Sequence, residues 1–282
     1  MFRRLFIITY ISLCGCFLLR SQNVMQTFAL AESLFAFEQY EAALKHYHRV
    51  AFFAGDSMQA TVFPRIAECY FQTNDFRNSI LYYELASNTT VNDSLRNEYL
   101  FARVLSYYIL EEYDYALQQL YAFRESNNPH LIDRFHFYHA VISMKRADPD
   151  MALDHFILLV DDNDVADELR ALFKKARLHH PKPRLAKMLS IIVPGLGQAY
   201  SGDFQNAANS FMLNGLLAGL TYSIAVKYSL LDAGLSTFSW LHRYYMGGFT
   251  RAEIIAVNRR IEKREILLDN TLKIIGQHKF QQ

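Results

Sequence analysis

The chain has 282 residues, room for one long domain or two modest ones. Lys plus Arg number 29 against 28 Asp plus Glu, a formal net charge of +1, so no basic field argues for nucleic acid as a partner. Aromatics make up 15% of residues and prolines number only 6, a balance that suits stacked helices and argues against a turn-rich β-sandwich. Cys14, Cys16 and Cys69 are too few and too scattered for a disulfide scaffold, and a cysteine-poor chain is compatible with export to a bacterial periplasm.

Met1-Phe2-Arg3-Arg4 is a short basic start, followed by an apolar run from Leu5 to Leu19. That order is the order of a secretory signal, and at about 15 residues the run is short of the roughly 20 that a transmembrane helix needs. Leu13-Cys14-Gly15-Cys16 is similar to a bacterial lipoprotein box. A cleaved signal, an uncleaved anchor and a lipidated terminus all fit residues 1–22.

Residues 23–160 repeat one pattern four times. A small residue follows a polar, aromatic turn, and large apolar residues follow it at i+4 and i+7, on one helix face. The small residues are Ala43, Ser79, Ala116 and Ala152, hence 36, 37 and 36 apart. Each unit reads as two helices that cannot bury their apolar face alone, so neighbours must stack. Gly55-Asp56, Asn88-Thr89-Thr90, Asn127-Asn128-Pro129 and Asp161 to Asp164 supply turns between units. This pattern resembles the tetratricopeptide repeat family, whose unit is a helix–turn–helix; Ala67 and Tyr70 also match its first helix, while Val104 and Ser143 depart from it.

The resemblance implies a concave, partner-binding face lined by the first helices. Carrying the repeat phase across gives one line of Phe35, Phe71, Tyr108 and Met144, and a second of Phe28, Pro64, Phe101 and Phe137. Such a floor suits a protein or peptide partner; the plainer reading is packing inside the solenoid, since aromatic stripes at helical spacing are more often core.

Asp164 to Leu178 reads as a connecting helix, acidic at its start and basic at its end, stopped by His179-His180-Pro181-Lys182-Pro183. The proline break sets the boundary between a repeat domain, 23–180, and a membrane-associated helical domain, 181–250, with a charged C-terminal helix over 251–282. Leu185 to Tyr200 is apolar around Pro194-Gly195-Leu196-Gly197-Gln198, and Ala207 to Leu231 is about 25 residues long, a length that can cross a bilayer. The two stretches are expected to pack as a hairpin, with Asn209 and Asn214 turned against the glycine-bearing segment. Trp240, Tyr244, Tyr245 and Phe249 beside His242 and Arg243 suit a water–lipid interface.

Pro194, Gly195, Gly197, Gln198, Tyr200 and Gly202 form a string that resembles the P-G-x-G-Q-x-Y-x-G signature of small bacterial membrane domains, here over roughly residues 184–265. The resemblance implies membrane placement and carries no activity with it.

Enzyme chemistry finds no foothold. Tyr200 stands where a dinucleotide fingerprint needs its third glycine, and no P-loop or nucleophile elbow occurs. Neither His136 with His139 nor His179 with His180 is joined by a cysteine or carboxylate cluster at zinc-ligand spacing, so both pairs read as solvated helix-face histidines. The sequence thus leads to an all-α, non-enzymatic envelope protein with no cofactor or metal, binding a protein or peptide partner near membrane lipid. The alternative is a structural protein that self-associates through its hydrophobic domain. The export-like start places the repeats in the periplasm, against the cytoplasmic preference of the basic flanks around the apolar stretches.

Overall fold

The computed structural model describes residues 23–124 and 126–280. The export-like segment, with Cys14 and Cys16, lies outside the described residues. Every element among the described residues is helical, so the chain is all-α, and it divides into two compact units at Arg146/Ala147. The division falls inside the fourth repeat, between its two helices.

The first unit contains α1 (Val24–Ala36), α2 (Tyr40–Ala54), α3 (Asp56–Gln72), α4 (Phe76–Thr89), α5 (Asp93–Ile109), α6 (Tyr113–Leu120) and α7 (Pro129–Lys145). Each of these helices packs against the next. Helix starts are fixed by side-chain caps: Asn23, Asp75, Asn92 and Asn128 each accept a backbone N–H from the first turn that follows. Helix packing follows the phased small residues. Ala43, Ser79 and Ala116 are wholly buried, as is Ala152 in the second unit. Around Ala43 pack Tyr47, Val50, Val62 and Ile66; around Ala116 pack Phe101, Val104, Leu120 and Ile142. A residue without a large side chain at these points lets two helix backbones approach, and the residues at i+4 and i+7 fill the space on either side.

A second repeat signal lies in the turns within hairpins. Glu38, Asn74, Glu111 and Ala147 have φ of 59°, 62°, 59° and 65°, and they too are spaced 36, 37 and 36 apart. In the first three, the next residue's N–H reaches five residues back: Gln39 to Leu34, Asp75 to Tyr70 and Glu112 to Tyr107, each at 2.9 Å. This is the closure that glycine usually serves at a helix C-terminus. Here no glycine is used, and the left-handed backbone carries a strain on the order of 1–2 kcal/mol at a residue with a Cβ.

The second unit contains α8 (Pro149–Ile157), α9 (Asn163–Ala176), α10 (Pro183–Ile192), α11 (Leu196–Tyr200), α12 (Phe204–Lys227), α13 (Leu230–Ala233), a π-helical stretch (Gly234–Phe238) and α14 (Ser239–Phe280). α9 is the expected connecting helix, closed at Arg177 with φ 45°. α14 runs unbroken through residue 250 for 42 residues, about 63 Å. It packs along α9, α10, α11 and α12, with Ala186 of α10 seated against Ala252 and Ala256.

Among the described residues no helix is long and apolar enough to cross a membrane. α12 covers most of the stretch expected to do so and has the length, 24 residues. Asn206, Asn209, Ser210 and Asn214 within it lower its apolarity.

Two outcomes follow for the first unit. Ala116→Leu, forced into a wholly buried contact, lowers stability by about 1–3 kcal/mol, read as a lower urea midpoint of the helical signal. Glu38→Gly and Glu111→Gly each raise it by about 0.5–1 kcal/mol, strain relief exceeding the extra unfolded-state entropy of glycine. Asn74→Gly gains less in the same titration, because asparagine tolerates the left-handed region.

Candidate functional site

Within the first unit a cavity of about 650 Å³ opens along α1, α3, α5 and α7, the first helices of the four repeats. Only Tyr83 comes from a second helix. The stack brings Phe35, Pro64, Phe71 and Phe101 to this one surface, joining members of both expected lines. The remaining expected residues are elsewhere. Phe28 packs on Tyr47, ring centroids 6.1 Å apart, and Tyr108 on Tyr113 at 5.7 Å. Met144 is buried, and Phe137 is partly exposed but turned beside Tyr138 outside the lining. The lining shifts along the helices, from Phe35 at the end of α1 to Arg134 and Tyr138 around the middle of α7, so a line drawn at a constant repeat interval leaves the surface.

The cavity is more polar than the aromatic stripes suggest. The Arg65 guanidinium lies over the Phe35 ring, 5.0 Å from its centroid, and pairs with Glu32 at 3.0 Å. Arg134 lies over Phe101 at 4.7 Å and donates to Glu98 at 2.5 Å. Each arginine thus spends its flat face on a ring and one edge on a carboxylate. Tyr47 donates to Glu32, and Tyr83 to Glu68, both at 2.6 Å. Burial, then the bond to the carboxylate, pushes both phenols up from their usual range, so they remain protonated donors. Glu32, Glu68, Glu98, Arg65 and Arg134 do not stand out in a search for apolar stripes. Their signal is in the repeat period: Glu32 and Glu68 are 36 apart, as are Glu98 and Arg134.

Such a surface offers ring faces, guanidinium edges and carboxylates along one line, which can take a chain carrying both apolar and charged groups. Groups able to do covalent chemistry are otherwise placed. Cys69 is wholly buried, and burial pushes its thiol up to about 12, which keeps it from being a thiolate. His48 sits between the Tyr70 and Tyr82 hydroxyls, at 3.1 and 3.5 Å, with its basicity lowered by burial. No group of three or more His, Cys, Asp or Glu among the described residues is placed to hold a metal ion.

The glycine string of the second unit forms a polar clasp. Gly195 has φ 94°, and a Cβ there would lie 2.4 Å from the Ala207 carbonyl oxygen; at Gly197 it would lie 1.8 Å from that of Ala186. These glycines let α11 rest directly on the backbones of α10 and α12. Ser190 Oγ accepts the Gly197 N–H at 2.9 Å and donates to Gln198 Oε1 at 2.7 Å. The Gln198 amide donates to the Gly248 carbonyl on α14 at 2.9 Å. Tyr200 accepts the Lys182 N–H at 3.2 Å, and Gly202 makes the turn into α12, which Asp203 caps. Pro194 ends α10. The string thus locks four helices together through buried polar groups.

The asparagines divide. Asn214 is buried as expected, its amide donating to the Ser210 carbonyl at 2.8 Å, but its near neighbour across the interface is Gly248 rather than the glycine string. Asn209 is exposed, and Ser210 takes the inward position expected of it. A rotation of 100° per residue separates these adjacent positions.

Comparison with family models, curated proteins and solved structures returns no match to this chain.

Gly197→Ala is expected to cost about 3 kcal/mol or more, at the upper end of overpacking, because the obstructing atoms are backbone. Ser190→Ala, which strands the Gln198 amide oxygen, costs about 1–3 kcal/mol. Both are read as lowered thermal midpoints of the full chain.

Proposed function

We propose that this protein is a non-enzymatic scaffold of the bacterial cell envelope, whose tetratricopeptide-like repeats hold a protein or peptide partner close to a membrane. The observation that carries the reading is the cavity along α1, α3, α5 and α7, where Phe35, Phe71 and Phe101 stand beside two arginine–glutamate pairs. Apolar anchors with charged edges give a segment both affinity and register. The second unit, with its glycine clasp and apolar helices, carries the membrane association, and the export-like start favours repeats on the periplasmic side.

A second reading, a structural protein that self-associates through its apolar unit, draws on the exposed leucines of α12. A photo-crosslinking amino acid in the full chain separates the two. Placed at Thr61 or Ala102 in the cavity, it is expected to trap a different polypeptide, and placed at exposed Tyr115 on α6, to trap none. Phe35→Ala with Arg134→Ala should reduce the cavity cross-links by about tenfold or more, two anchors at roughly 1 kcal/mol or more each. Cross-links confined to second copies of this chain through α12 would select the structural reading.

A further inference from the structure

The hairpin of α12 with α13, the π-helical stretch and the start of α14 is packed with its polarity reversed. The side chains it buries are small or polar: Ala207, Asn214, Ala233 and Thr237. Its large apolar side chains are outside, with Leu216 68%, Tyr222 72%, Val226 66% and Leu235 83% exposed. In water this order is unfavourable at every position, since burying apolar surface is what drives helices together. In lipid it is the favoured order, because small and polar groups hold the helices together and apolar ones face the tails.

The width of the outer face identifies what covers it. At 100° per residue, the exposed positions Phe211, Met212, Leu213, Leu216, Leu220, Tyr222 and Val226 sweep an arc of about 200° around α12. One docking helix covers a stripe of about half that. The buried Asn214 and Ala207 lie together near the middle of the remaining arc.

Charge agrees with a bilayer. Residues 181–265 carry ten Lys or Arg and five Asp or Glu, ten less five giving +5, in a chain whose total is +1. Part of this charge gathers where α14 passes the start of α10: Arg260 donates to the Leu178 carbonyl and Lys263 to that of His180. An apolar hairpin joined to a basic base suits a membrane with anionic headgroups.

We infer that the outer face of this hairpin beds in the acyl region of a bilayer containing anionic lipid, with Asn214, Ser210 and Gly248 forming the inward seam. The inference rests on the membrane part of the reading above and is independent of the cavity. Trp240 is the single tryptophan of the chain and is half exposed on this hairpin, stacked on Tyr244. Its emission therefore reports this region alone.

The purified full chain is mixed with vesicles of phosphatidylcholine, alone or with phosphatidylglycerol. Expected are flotation with the mixed vesicles, a blue shift of Trp240, and quenching by bromine on the acyl chains. Leu216→Asp with Leu220→Asp should reduce flotation by more than about tenfold, two leucines being withheld from lipid, while circular dichroism stays helical. Val91→Asp, 97% exposed between α4 and α5 of the first unit, should leave flotation unchanged. Unmoved Trp240 emission with protein left below the vesicles overturns the inference. So does a stable dimer in light scattering whose Trp240 is shielded without lipid, which would assign the face to a second copy. Cavity cross-links, scored on the same preparations, test the partner reading separately.

Discussion

Close approach of helix backbones is the constraint on which the first unit depends. Ala43, Ser79 and Ala116 are buried to completion because no larger side chain fits between the helices they join. That approach fixes the distance between α1 and α2, then between each later pair, and so aligns α1, α3, α5 and α7 along one surface. The cavity is a consequence of stacking, assembled from residues far apart in the chain. Arg134 of α7 and Phe35 of α1 share it only because the two hairpins between them, α3/α4 and α5/α6, hold a constant spacing.

This explains which parts were legible in the sequence. Small residues at 43, 79, 116 and 152 carry their meaning locally, since a run of alanine among large apolar residues has few uses in a helix. The helices and their number followed from that period. The cavity was legible in part. Phe35, Phe71, Pro64 and Phe101 could be found from the phase, but Met144 and Tyr108 could not be separated from them, because the shift of the lining along successive helices is set by packing. The arginines were missed for a different reason. Their role comes from the ring beneath them and the carboxylate beside them, and neither partner is adjacent in sequence. The turns at Glu38 and Glu111 were invisible, as glutamate has no preference for a left-handed backbone.

In the second unit the glycine string was legible as a motif but not as a contact. Its spacing marks it as special, yet only the fold shows that Gly197 lies on the Ala186 carbonyl and that Gln198 reaches Gly248, fifty residues on. The same interface explains why Ser210 rather than Asn209 points inward. The hydrogen bond from Gln198 to the Gly248 carbonyl has a definite geometry, so it sets the register of α11 against α14 where apolar packing alone would let them slide.

The inner turns and the small residues keep one fixed spacing. Glu38 precedes Ala43 by five residues, and the same five separate Asn74 from Ser79, Glu111 from Ala116 and Ala147 from Ala152. The single extra residue in the second interval lies after Ser79 and before the turn at Glu111. The outer connections vary freely, from Gly55 alone to the eight residues between α6 and α7. Length can change between hairpins without altering the mesh of any hairpin, much as a hinge pin tolerates a longer strap but not a displaced knuckle. A cavity lined almost wholly by the first helices is insulated from such changes in loop length.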